Sequence, residues 1–402
     1  MSVTAASGFE AGGIACGIKP SGAPDLALIA TTQRHPVSAA AVFTTNIVTA
    51  APVQISREHV REGHATAVVL NSGNANAATG DQGRSDARRM CELTADSLGC
   101  ATADVLVCST GLIGVPLPVD AVESGIPKVA GVLRADDEGA DAAADAILTT
   151  DTVRKEAVAR VELGDGSVVT VGGMAKGAAM LAPAMATMLA VITTDAVVQP
   201  RVLHQVLEDA VDESFNQLLI DGSTSTNDTV LVLASGAAGN PPIGSMRSHR
   251  GDHHALRDGV ATVCTDLARQ MARDAEGATK QVHVVVRGAL SSADARQAAR
   301  SVAGSQLVQC SLNGADPYWG RILSELGASG VPLAPDSIDI AYNDVLVCRD
   351  SVATDHDAED LAAVMARREI EIRCDLKLGM GEATVLTTDL SHAYIDENRR
   401  TS

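Results

Sequence analysis

GGMAKGAAMLAPAMATMLAVITTDA, residues 172–196, contains the longest apolar run of the 402-residue chain, 180–192, broken by Pro183 and Thr187. Its second half is short, rich in β-branched residues and closed by a polar Thr-Thr-Asp, which predicts a buried strand from Met188 to Thr193. A threonine inside such a run is most often a core residue whose hydroxyl bonds a nearby carbonyl. The alternative is chemical. Cleavage of the Ala186–Thr187 bond would leave Thr187 with a free α-amine of reference pKa about 7.7–8.0, able to act as base for its own hydroxyl. Pattern alone favours the core threonine.

Outward from this segment, strands and helices alternate along the chain. Short β-type runs start at Asp25 (DLALIATT), Ala39 (AAAVFTT), Thr66 (TAVVLN) and Asp104 (DVLVCS), and further strands are expected at 167–171, 229–234 and 281–286. Helical periodicity covers 82–98, 138–148, 200–213, about 254–275 and 292–303, and a last group of strands ends near Thr388. Residues 235–252, rich in Gly, Pro and Ser, read as the linker. The fold class is α/β (α+β layered), with helices enclosing β-sheets. VGGMAKGAAM (171–180) matches neither P-loop nor GxGxxG spacing and reads as a close-packed turn feeding a strand; NSGNANAATG (71–80) reads as a tight turn, with an anion-binding nest as the rival.

Composition removes several functions. Fifty acidic against 31 basic residues give a net charge of −19, which repels nucleic acid and anionic membranes. With 1 Trp, 3 Tyr and 3 Phe, stacking platforms are nearly excluded and the core must be aliphatic. No apolar run reaches 18 residues, MSVTAASGFEAGG lacks a secretory pattern, and the eight cysteines form no CxxC pair. These features predict a cytoplasmic protein with idle thiols and no metal; His253 and His254 beside Asp252 read as a solvated approach to a helix.

The 172–196 segment resembles the self-cleavage signature of the ornithine acetyltransferase family, the glutamate N-acetyltransferases. GIKPSGAPDLALIA, LNSGNANAATG, CSTGLIG, ILTTD, DGSTSTNDTVL, DAEGATK, GADPYWGRIL and TTDLSHAYIDEN resemble that family in order, so the likeness spans essentially the whole chain. The resemblance implies a self-cleaving acetyltransferase fold cut at Ala186–Thr187 into an α chain (1–186) and a β chain (187–402), which together form one protomer and pair as α2β2. It implies Thr187 as nucleophile, the Thr110 hydroxyl and Gly111 N–H as oxyanion donors, and Thr149, Lys176, Thr187, Glu276, Asn398 and Thr401 as substrate contacts. Ser402 is an equal alternative to Thr401, because the tail NRRTS lacks the family's usual aromatic and ends about one residue early. A side chain at Gly111 is expected to disturb the donor and spare the core.

The implied reaction moves acetyl from N2-acetyl-L-ornithine to L-glutamate through acetyl-Thr187, releasing L-ornithine and N-acetyl-L-glutamate. No cofactor is implied, although acetyl-CoA as a second donor stays open. So do a paralogue specialised for another amino acid, left open by Ala179 and Ala184, which stand where the family shows a second Gly and often a polar residue, and a self-cleaving aminopeptidase or amidohydrolase. A degenerate paralogue that only binds amino acids is disfavoured by the presence of Thr187, Lys176, Thr110 and Gly111 together.

Overall fold

The structure is a computed structural model and describes residues 2–180, 188–244 and 248–399. It divides into two compact units, one built from 1–178, 184–216 and 224–271, the other from 179–183, 217–223 and 272–402.

The first unit carries β1 (Phe9–Ile14), β2 (Leu26–Thr31), β3 (Val37–Phe43), β4 (His64–Ala65), β5 (Ala67–Asn74), β6 (Val105–Leu112), β7 (Lys155–Glu162), β8 (Val168–Lys176), β9 (Leu189–Thr194) and β10 (Thr229–Ala234). Its helices are α1 (Ala51–His59), α2 (Gly80–Leu98), α3 (Val119–Ala130), α4 (Asp137–Ala146), α5 (Pro200–Glu213) and α6 (Asp252–Arg273). A four-stranded sheet in the order β1-β2-β5-β6 faces a six-stranded sheet in the order β4-β3-β10-β9-β8-β7.

Strand alternation explains the layering. On β2, Ala27 and Ile29 join Val68 and Leu70 of β5 and Leu231 and Leu233 of β10 in the core between the sheets. Leu26, Leu28 and Ala30 point the other way and pack with Ile55 of α1, Met90 of α2 and Ile126 of α3. Both faces of the four-stranded sheet are therefore covered, and its near-continuous apolar strands follow from that. On β8, Gly172 and Gly173 are required by closeness: a Cβ on Gly172 would lie 2.0 Å from the Ser2 carbonyl oxygen, and one on Gly173 would lie 2.8 Å from side-chain atoms of both Ile192 and Val263. VGGMAK is thus strand itself rather than a turn leading into one.

The second unit carries β11 (Gln281–Ala289), β12 (Asp339–Tyr342), β13 (Val345–Arg349), β14 (Val352–Ala353), β15 (Glu369–Asp375) and β16 (Gly381–Thr388), in the sheet order β14-β13-β12-β15-β11-β16. Helices α7 (Ser292–Ala303), α8 (Gln306–Asn313), α9 (Trp319–Ala328) and α10 (Ala358–Met365) precede a short C-terminal α11 (His392–Asn398). Ala295, Ala298, Ala299 and Val302 of α7 bury against Val282, Val284 and Val286 of β11. The layered α/β expectation is met. The expected linker is not a boundary: residues 235–252 lie within the first unit, where Asn240 caps Val197 N–H at 2.8 Å and Asp252 accepts from Gly164 N–H at 2.9 Å. Polar, glycine-rich composition here serves a packed loop held by side-chain acceptors.

Candidate active site

The candidate residues of the first unit lie at strand ends. β5 and β6 run parallel, with Gly73 opposite Gly111 and Ser72 opposite Thr110. Thr110 is buried while Gly111 is exposed, so the end of the strand passes from covered to open at this pair. Gly111 has φ +133°, and a Cβ there would sit 2.3 Å from the Gly73 carbonyl carbon. This corrects the expectation that a side chain at 111 spares the core. Gly111→Ala should cost about 1–3 kcal/mol in backbone strain before the clash is counted. Thermal unfolding should show a lowered midpoint together with reduced turnover; unchanged stability would contradict the geometry.

Lys176, the last residue of β8, is 2% exposed. Its Nζ donates to Thr149 Oγ1 at 2.6 Å and lies 3.6 Å from Asp151 Oδ2. Asp151 ties the corner together. It accepts from Thr149 N–H at 3.1 Å, from Gly177 N–H at 2.7 Å and from Lys155 Nζ at 2.7 Å, with the Lys155 and Asp151 side chains both fully buried. Burial alone would push this carboxyl up; the Lys176 and Lys155 ammonium groups and the Gly177 N–H override it and hold Asp151 well below the usual carboxylate range.

A third lysine joins the corner. Lys19 Nζ donates to the Leu148 and Pro24 carbonyls, each at 2.7 Å. Burial and the nearby Lys176 charge lower its pKa, against the pull of Asp25 and Asp151. Fully buried Asp25 explains the GIKPSGAPD stretch, because its carboxylate accepts from the N–H groups of Cys16, Gly17, Ile18 and Lys19 at 2.7–3.2 Å.

At the start of β9, Met188 N–H donates to Asp228 Oδ1 at 3.0 Å. Neighbouring Asn227 donates to the Ala75 carbonyl at 2.6 Å and the Ser109 carbonyl at 2.9 Å, linking the NDT turn to the β6 end. Asp228 is fully buried, and burial raises its pKa well above the usual carboxylate value.

In the second unit, Asn398 Nδ2 donates to Glu276 Oε2 at 2.7 Å, with Glu276 buried and Asn398 exposed. Gly277, at φ +65°, allows α11 to approach: a Cβ there would lie 2.3 Å from Tyr394 N. Tyr394 Oη donates to Asp221 Oδ2 at 3.2 Å, and burial plus that carboxylate push the phenol up to about 12.

Of the residues singled out from sequence, the structure therefore joins Thr149 to Lys176 and Glu276 to Asn398, and puts Thr110 and Gly111 at one strand end. Ala186, Thr187 and Thr401 lie outside the described residues. Sequence pattern does not single out Lys19, Asp151 or Asp228, although they fall within the quoted motifs GIKPSGAPDLALIA, ILTTD and DGSTSTNDTVL; each is a titratable group whose surroundings are decided by the fold. Among the described residues no group of three or more His, Cys, Asp and Glu is placed to hold a metal, and no helix is long and apolar enough to cross a membrane.

Residues 10–401 match the family model described as the ArgJ family. The chain is 47% identical over 398 residues to the arginine biosynthesis bifunctional protein ArgJ of Symbiobacterium thermophilum, covering 98% of this chain and 97% of that one. It is 47% identical over 399 residues to the protein of the same name from Streptomyces coelicolor, covering 99% of each. The crystal structure of ornithine acetyltransferase complexed with ornithine from Mycobacterium tuberculosis is 43% identical and aligns with a TM-score of 0.42 over 45% of this chain and 94% of that one.

Proposed function

The chain belongs to the ArgJ family and is an acetyltransferase of arginine biosynthesis, and we propose that it works through a Thr187 nucleophile exposed by cleavage after Ala186. Thr187 Oγ takes the acetyl group from N2-acetyl-L-ornithine, releasing L-ornithine. The L-glutamate amine then attacks the acetyl ester, and N-acetyl-L-glutamate leaves. In each half-reaction the Thr110 hydroxyl and Gly111 N–H receive the developing oxyanion, each donor of this kind being worth about 2.7–4 kcal/mol.

The observation that carries this reading is the buried Lys176–Thr149–Asp151 corner at the end of β8. An ammonium held at 2% exposure is suited to a substrate carboxylate, and both amino-acid substrates carry one at the α-carbon. Glu276, paired with Asn398, supplies a carboxylate suited to the ornithine side-chain ammonium. The sheet supports the two-chain product: β9 pairs with β8 from Lys176↔Leu189 to Val171↔Thr194, so a cut between these strands leaves their ladder intact. Assembly of two such protomers as α2β2, cytoplasmic residence and the absence of a cofactor complete the proposal, with acetyl-CoA as a further donor to be tested directly.

Mixing enzyme with N-acetylornithine alone should release about one ornithine per site in a burst and add one acetyl mass to the 187–402 chain. Glutamate should then discharge it as N-acetylglutamate, faster than water does. Label on the 1–186 chain, or discharge equally fast without glutamate, would point to another nucleophile or to a hydrolase. Replacing acetylornithine by acetyl-CoA in the same assay decides the donor question.

A further inference from the structure

The ammonium of Lys19 lies by the Lys176 corner yet has no part in the reaction as set out above. Among the described residues its Nζ is held by two carbonyls, those of Pro24 and Leu148 at 2.7 Å each, and by no ion pair. Burial and the Lys176 charge both work against its protonated form. The loop that carries Lys19 does not need that ammonium for its own shape. Asp25 already accepts from the N–H groups of Cys16, Gly17, Ile18 and Lys19, the last at 2.9 Å. The side chain therefore leaves from a fixed point and reaches a residue 129 positions further along the chain. Its stem crosses the end of β5, where a Cβ on Gly73 would lie 3.0 Å from Lys19 Cγ. Gly73 stands opposite Gly111 in β6, and Ser72 stands opposite Thr110. Ser72 Oγ in turn donates to the Ala146 carbonyl at 2.6 Å. The stretch 146–148 is thus pinned twice to the end of β5, at Ala146 by Ser72 and at Leu148 by Lys19. The next residue is Thr149, whose hydroxyl accepts from Lys176 Nζ at 2.6 Å.

We propose that Lys19 is a positioning residue for acetyl transfer: by holding the Leu148 carbonyl while its stem lies against β5, it fixes the spacing between the Thr149–Lys176 pair and the Thr110–Gly111 strand end. The first pair suits the amino-acid carboxylate and the second the oxyanion, so a substrate that spans them is aligned only at the right spacing. Lys19 acts through Leu148 and Thr149 and does not itself touch the substrate. A lysine suits this task. Its long unbranched stem bridges the gap, its three donors satisfy both carbonyls at once, and its charge makes each bond stronger than a neutral one.

This inference rests on the acetyl-transfer reading, and the two fail separately. Wild-type enzyme that releases no ornithine from N-acetylornithine removes that reading, whereas a wild-type burst matched by the Lys19 variants removes only the inference. Lys19→Met keeps the stem over Gly73 and drops the ammonium. At saturating N-acetylornithine its ornithine burst should be about 10–100-fold slower, the scale of a misplacement of about 1 Å. The N-acetylornithine concentration giving half that rate should change less than about threefold, because every group suited to the substrate is still present. Coupling supplies a readout that a merely structural tie would not move. In a Thr149→Val background, which lacks the hydroxyl being placed, the same Lys19→Met change should slow the burst by less than about threefold. Lys19→Gln, whose amide nitrogen falls one atom short of Leu148, should show the same loss and serves if Lys19→Met does not fold. A burst rate unchanged in either variant, a half-saturation that rises at unchanged rate, or equal slowing with and without the Thr149 hydroxyl would overturn the proposal.

Discussion

Thr187→Ala should yield one uncut chain of 402 residues with no measurable acetyl transfer. Two losses coincide in that variant. The hydroxyl that would attack the Ala186 carbonyl is gone, so the chain stays whole; with no cut there is no α-amine and no acceptor for the acetyl group. Removing a nucleophile that works as a unit with its base costs on the order of 10⁶ in kcat in comparable acyl-transfer chemistry. Thr187→Ser keeps a hydroxyl and should still give two chains under denaturing conditions, with turnover retained. Under native conditions the cut protein should run as one species. The six-stranded sheet takes β3, β4, β7 and β8 from before the cut and β9 and β10 from after it, with β9 between β8 and β10. Denaturing mass spectra of the two variants beside wild type check all of this, and a fully active intact chain would remove Thr187 from the mechanism.

How far the sequence reveals this arrangement depends on the range of the forces involved. Helices Pro200–Glu213 and Ser292–Ala303 and strand Thr229–Ala234 have the bounds their sequences predict, because proline at the first helical position, a serine N-cap and a β-branched run are local signals. β7 escapes notice because KEAVARVE alternates charges on a strand at the edge of its sheet, where one face is wet. The site divides in the same way. Thr110, Gly111, Thr149, Lys176, Glu276 and Asn398 come from resemblance to a family; spacing alone reads CSTG as a strand-ending turn and Glu276 as a surface residue. Asp151 and Asp228 look like ordinary solvated acids in ILTTD and STNDT. Their burial is decided by Lys155, four residues further along the chain, by Lys176 at the end of β8 and by the Met188 N–H just before β9.

Asp151→Asn should be the most damaging substitution outside the nucleophile, through stability as well as chemistry. The side chains of Lys155 and Asp151 are fully buried at 2.7 Å, so removing one charge strands the other in a dehydrated place. Breaking such a pair costs about 3–5 kcal/mol, more than most single substitutions. The sign of the pH effect follows from the depressed carboxyl. A folded-state pKa below the unfolded one contributes stability that is complete above the ordinary carboxylate range and is lost as pH falls through the folded value. The variant should therefore lose part of the wild-type acid dependence along with its midpoint. Activity separates the structural share from the rest. Asp151→Asn/Lys155→Met removes both buried charges and should recover much of the stability, since a buried pair exchanged for neutral groups is often nearly cost-free. It should not recover turnover. Lys176 Nζ and Thr149 N–H would still lack their shared carboxylate, and a misplacement of about 1 Å at a reacting centre can cost about 10²-fold. Chemical denaturation and kcat/KM measured on both variants test this. If the double variant regains both stability and turnover, Asp151 serves only to neutralise Lys155, and Lys176 keeps its place without it.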